Sequence, residues 1–200
     1  MRRTFLLIYV AAASALLPST AFAQANTSQP VDPPQEVAQL RQQYEGLTQQ
    51  QIKDAGYEPE GECVTNPHGV GAMGTHAINQ ELLEAQFPNG EMDPEQPPVI
   101  LLDQDSKVIG IEWEAADVGQ GSKELFGQSI ELQSGHPGVE ESHYMLHIYF
   151  KDDGKVLFGV DDKTAFDPKL SCDELPASGG VVSPAQLGSC CLRLGEASRF

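Results

Sequence analysis

Five side chains able to bind a metal or move a proton fall in three short stretches: His76, the pair Glu112 and Glu114, and the pair His143 and His147. Two neutral imidazoles with one carboxylate make a three-ligand set for zinc, copper, iron(II) or manganese. Such a set leaves one coordination position open for water or a small molecule. In an enzyme the metal would activate water or polarise a substrate oxygen. A further carboxylate or imidazole from the same stretches would then serve as the spare base. Met73 and Met145 stand close to the histidines along the chain, and thioethers would soften the set towards copper. A strand with one wet face carries the same residue types for solubility alone. Convergence in space is what separates the two readings.

The strands that must position these groups show clear alternation. In Lys107–Ala115, Ile109, Ile111, Trp113 and Ala115 share one face; Val108, Gly110, Glu112 and Glu114 share the other. In Ser142–Phe150, Tyr144, Leu146, Ile148 and Phe150 form an apolar face, opposite His143, Met145, His147 and Tyr149. Each stretch therefore joins an apolar face to one bearing carboxylates or imidazoles. His76 comes just after Gly69-Val-Gly71-Ala-Met-Gly74, a literal G-x-G-x-x-G. A dinucleotide loop needs a hydrophobic strand before it and a helix behind it. The preceding segment has a proline and little apolar content, and the segment behind it suffices for one or two helical turns at best. The glycines are read instead as allowing tight turns that bring His76 against other elements.

Other chemistries lack their full pattern. Gly127-Gln-Ser129 is half of a nucleophile elbow without its strand-turn-helix setting. No H-E-x-x-H occurs, and the two-histidine order of a cupin is missing. Asp152-Asp153-Gly154 and Asp161-Asp162 lack the periodic oxygen ligands of a calcium loop. Glu112 and Glu114 are neighbours on one strand face, which does not make an opposed glycosidase pair.

Around these strands the pattern is simple. Val37, Leu40, Tyr44 and Leu47 form a helical stripe, and Thr48 caps a second short helix that ends at Gly56. Residues 97–103 and 108–115 read as one hairpin; 142–150 and 156–160 read as another, around Asp-Asp-Gly. Leu125–Leu132 reads as a strand between them. The expected fold is α+β, mainly antiparallel β as a small barrel or sandwich, with one or two N-terminal helices packed outside.

The first 23 residues read as a signal peptide: Arg2 and Arg3, an apolar run, then Ala21-Phe-Ala23. Residues 24–34 read as a flexible mature terminus, 35–172 as a single domain, and 173–200 as a disordered tail. The 200-residue chain has a net charge of -17, and losing Arg2 and Arg3 makes it -19 (-17 minus 2). Nucleic acid and anionic membrane surfaces are thereby excluded as partners. No later segment is long and apolar enough to span a membrane. The expected location is periplasmic or secreted, and the expected partner a metal ion or small molecule. Composition leaves the oligomeric state open. Cys63 and Cys172 bracket the patterned region and are natural disulfide partners in an oxidising compartment. Cys190 and Cys191 could be free, pair between chains or compete for Cys63, so connectivity stays open at this level.

Together "DAGYEPEGECV", "GAMGTHAIN", "VIGIEWE", "LFGQSIEL", "YMLHIYF" and "LSC" resemble a group of uncharacterised secreted bacterial proteins. That group carries G-x-M-G-x-H-x-x-N, V-G-x-E and L-H-x-W segments and a closing cysteine. The resemblance runs from Ala55 to Cys172. It implies that His76, Glu112 and His147 occupy the motif positions, and that Cys63 and Cys172 match the two cysteines. Tyr149 stands where the pattern has tryptophan, and Asp152-Asp153-Gly154 replaces an asparagine-proline turn. His143 and Glu114 have no counterpart and rank second. The resulting expectation is a metal or polar-ligand site, with or without catalysis. The alternative is an envelope binding or structural module that holds no metal.

Overall fold

A computed structural model describes residues 29–67, 69–135 and 139–172. The expected signal peptide, the first residues after it, the tail and Cys190 and Cys191 lie outside the described residues. Helix α1 (Gln35–Tyr44) buries Val37, Leu40 and Tyr44, the stripe expected from the spacing. Helix α2 (Gln49–Asp54) starts in a capping box. The Thr48 hydroxyl accepts from the Gln51 amide, and the Gln51 side chain accepts from the Thr48 amide at 3.0 Å. Arg41 ties α1 to the sheet by donating to the carbonyls of Lys151 and Lys155, each at 2.9 Å.

The described residues also form nine strands: β1 (Glu58–Thr65), β2 (Ala72–Ile78), β3 (Val99–Leu102), β4 (Val108–Ala116), β5 (Lys123–Leu125), β6 (Gln128–Ile130), β7 (Leu132–Gln133), β8 (His143–Phe150) and β9 (Val156–Gly159). Helix α3 (Gln80–Gln86) lies between β2 and β3, capped by the Asn79 side chain. Seven strands form one antiparallel sheet in the order β1-β2-β3-β4-β8-β7, with β9 also on β8. The sheet curls into a half-barrel, in agreement with the expected α+β, mainly antiparallel fold. Among the described residues no helix is long and apolar enough to cross a membrane.

Sequence expectations and the fold differ at several elements. The segment Leu125–Leu132 is not one strand: β5 and β6 form a separate two-stranded sheet. Phe126 and Gly127 between them both have positive φ, the conformation of a two-residue type I′ hairpin turn. Behind the glycines, residues 72–78 add a strand that was not expected, and the two helical turns allowed there follow Asn79. The stretch expected to be flexible up to Pro34 is ordered from Val31, whose amide and carbonyl both bond Val156.

The sheet has two buried faces. On one, Ile100, Ile111, Trp113, Leu146, Ile148 and Phe158 pack with α1 and α2 into the main core. On the other, a smaller cluster of Ile78, Leu83, Val99, Leu101, Tyr149 and Leu157 surrounds the polar groups of interest. A bulge in the β3–β4 register between Leu101 and Leu102 exchanges the two residues before Gly110. Val108 thus joins the main core, and Ile109 packs with the smaller cluster. From Gly110 onward the expected alternation holds.

Candidate metal centre

His76 comes from β2, Glu112 from β4 and His147 from β8. Glu112 and His147 are direct cross-strand partners. His76 pairs with Leu101, whereas Glu112 pairs with Val99, so His76 lies across β3 and two residues along. Two strand spacings amount to about 9.6 Å. Curling of the sheet towards this face closes that gap. Glycines permit the approach. A Cβ at Gly74 would stand 2.5 Å from the Leu102 carbonyl oxygen, and one at Gly71 would stand 2.6 Å from that of Asp167. Both residues also have positive φ. The G-x-G-x-x-G segment therefore seats the His76 strand, and a strand stands behind it where a phosphate cradle needs a helix.

The three side chains converge. Nε2 of His76 lies 3.1 Å from Oε2 of Glu112, and Nε2 of His147 lies 3.1 Å from Oε1. One ligand atom from each residue falls within 4.8 Å of the others, so the group could hold a metal ion. Glu112 is 1% exposed and His147 fully buried. Despite the short separations, no hydrogen bond of normal geometry reaches Oε2 of Glu112 or either ring nitrogen of His147. Buried polar atoms left in that condition cost stability. Two ligands of one ion, each about 2.0 to 2.2 Å from it, stand about 2.9 to 3.5 Å apart. The donor set and its spacing fit a divalent transition metal.

Electrostatics favours the anion. Burial alone would push the Glu112 carboxyl up, but His147 and then His76 outweigh it and hold the group well below the usual carboxylate range. Tyr149 stacks parallel to the His147 ring, with centroids 6.0 Å apart and planes 2° from parallel. Its hydroxyl donates to the Ala165 carbonyl at 2.5 Å. Burial, then the negative charges of Glu112 and Asp167, pushes this phenol well up and keeps it neutral.

The segment after β9 returns across the same face. Asp167 pairs with Ala72 through both backbone groups, and its carboxylate accepts from Lys151. The segment ends at Cys172, bonded to Cys63 of β1 with Cα atoms 5.8 Å apart. The expected Cys63–Cys172 pair is therefore formed. It ties the edge strand to the crossing segment.

Between these walls lies a cavity of about 660 Å³. His76 and Glu112 line it, together with Glu114, Met73 and Met145. Glu114 lies outside the three-residue cluster. His143 is also outside it: its Nδ1 donates to the Glu141 carbonyl at 2.8 Å, and its ring meets Phe87 edge-on. Comparison of the chain with protein-family models, with curated proteins and with solved structures finds no match. The functional reading therefore rests on the geometry of the site.

Two contributors escaped sequence reasoning. Tyr149 was visible only as a strand residue on the histidine face; its stacking depends on adopting the same direction as His147. Strand β1, which lines one side of the cavity, contains Pro59 and Gly61 and has no regular alternation. A run of small, acidic and β-breaking residues gives no strand signal, and pairing with β2 supplies it.

Proposed function

We propose that this is an exported protein that binds one divalent transition metal, from the set zinc, copper, iron and manganese, through His76, Glu112 and His147. Two of these residues, His76 and Glu112, line a cavity sized for a small molecule, which an open coordination position of the ion would serve. The observation carrying this reading is the convergence of two imidazoles and a carboxylate from three strands, with Oε2 of Glu112 and both ring nitrogens of His147 buried and without a hydrogen bond of normal geometry. A bound ion would supply Lewis acidity and a polarised water at that position. Glu112 would hold it as an anion, His76 and His147 as neutral imidazoles, and Tyr149 would orient His147. The signal-like N-terminus, the disulfide and the resemblance to secreted bacterial proteins support a periplasmic or extracellular setting.

The competing reading keeps Glu112 as a carboxylate neutralised by the imidazoles alone, in a module without metal. Elemental analysis of protein prepared without a histidine tag separates the two. About one equivalent of metal per chain, lost in a His76→Ala/His147→Ala variant that still folds, supports the site. Absence of metal, with no change in melting temperature on adding zinc, copper or manganese, overturns it.

A further inference from the structure

The way from the three ligands to solvent runs past one of them. The side chains of Glu112 and His147 are 1% and 0% exposed, whereas that of His76 is 19% exposed. Beside His76 stands β1, the edge strand of the sheet. Its pairing with β2 is interrupted at this point. Glu60 lies opposite His76, and the next pair is Val64 with Gly74. Gly61, Glu62 and Cys63 therefore bulge opposite Thr75 alone, with Gly61 at positive φ. All three line the cavity, as do Glu60 and His76. A bulge leaves its extra residues out of the ladder, so this part of the wall needs another tie.

Cys63 provides it. Its disulfide reaches Cys172, at the end of the segment that crosses the same face. That segment is pinned to β2 through Asp167 and Ala72, and the amides of Lys169 and Leu170 turn back to bond Asp167. The cross-link thus joins two walls of the cavity beside the least buried ligand. Cys63 and Cys172 are each half-buried, so a thiol can reach the bond. Resting on the metal reading for the ion but not for the wall, we propose that Cys63–Cys172 is a redox modification site that latches this wall: reduction by a dithiol partner opens the route past His76 and releases the ion. One thiolate of the dithiol attacks a sulfur of the pair, forms a mixed disulfide and expels the other cysteine. The second thiol then closes the partner's own disulfide and frees the remaining cysteine. Two electrons pass to the protein, the dithiol is oxidised, and its two thiol protons are balanced by those taken up on Cys63 and Cys172.

Zinc transfer from loaded protein to a colorimetric chelator, with Trp113 fluorescence recorded alongside, tests the latch. Trp113 is fully buried in the main core and reports unfolding. The comparison is between oxidised protein, protein reduced with dithiothreitol and freed of it, and a Cys63→Ser/Cys172→Ser variant. Reduction and the double substitution should each speed zinc release at least about tenfold, ahead of any change at Trp113. Leu40→Ala, which loosens the main core on the opposite sheet face, should leave the rate near that of the oxidised protein. Equal rates in the oxidised and reduced forms overturn the latch. So does release that only keeps pace with the Trp113 signal, or an equal acceleration in Leu40→Ala; either would leave a structural cross-link. Modification of His76 by diethyl pyrocarbonate in metal-free protein reads the wall without the ion. Reduction should speed it at least about fivefold, and an unchanged rate overturns the latch. Oxidised protein that binds no zinc, yet exposes His76 on reduction, would sink the metal reading alone. Zinc held equally long by oxidised and reduced protein would sink the latch alone.

Discussion

Replacing Glu112 by glutamine tests the centre at its middle residue with almost no change in shape. The carboxylate is 1% exposed and lies 3.1 Å from each imidazole. The substitution removes the anionic ligand and leaves two imidazoles around a neutral amide. A ligand present at one hundred times its dissociation constant stabilises the folded state by about 2.7 kcal/mol. For a chain of this size, that raises the melting temperature by about 5 to 11 °C. Outer-shell changes at metal sites weaken affinity by about 10- to 100-fold, so loss of a direct ligand should exceed the upper value. At the same zinc concentration the Glu112→Gln protein would then retain less than about 0.4 kcal/mol of stabilisation, a shift of about 1 to 2 °C. Differential scanning calorimetry, with zinc titrated against each protein in a weakly chelating buffer, measures both numbers. A Glu112→Gln protein that keeps the full zinc-dependent shift would place zinc elsewhere, on surface carboxylates, and refute the centre as described.

The remaining expectations concern the scaffold. Burial, and then contact with Tyr44, pushes the Tyr57 phenol far up; burial likewise raises Tyr44 and Tyr149. Their folded-state values lie above the unfolded value of about 10, so the associated stability is complete below about pH 10 and is lost as the pH rises beyond it. Absorbance at alkaline pH should show these three phenols ionising together with unfolding; titration of all three in the folded protein would contradict their packing. Reducing Cys63–Cys172, which closes a separation of 109 residues, should cost about 4 to 5 kcal/mol. An unchanged melting temperature in reductant would refute that. Gly74→Ala should destabilise by about 2 to 4 kcal/mol, since its Cβ meets the Leu102 carbonyl and its φ is positive. Gly119→Ala, with positive φ but open space around it, should cost about 1 kcal/mol. Equal losses in the two variants would show that close approach at Gly74 does not matter.

Two of the three ligands were legible as residue types on strand faces, because alternation of Glu112 with Trp113 and of His147 with Ile148 survives in β4 and β8, whereas His76 was read behind a glycine turn and its strand was not. Selection of Glu112 over Glu114 and of His147 over His143 came from a resemblance. In the fold it arises from the register, which sets Glu112 opposite His147 and Glu114 opposite Met145. A wet sheet face was equally consistent with the pattern, since strand periodicity does not reveal what covers a face. Here the segment 161–172 covers it, through pairing with Ala72 and the disulfide.

The amino-acid sequence by itself determined the amphipathic stripe of α1, the Thr48 cap, both long hairpins and the two-faced character of β4 and β8. Each depends on contacts between residues a few positions apart, or on a period written into the chain. Only the tertiary structure decided that His76 reaches Glu112 across an intervening strand, that β1 forms at all, and that the polar face closes over a cavity. Those outcomes depend on sheet curvature, on register and on pairing between distant segments. Such terms arise from the whole set of packed elements and leave no local period to read.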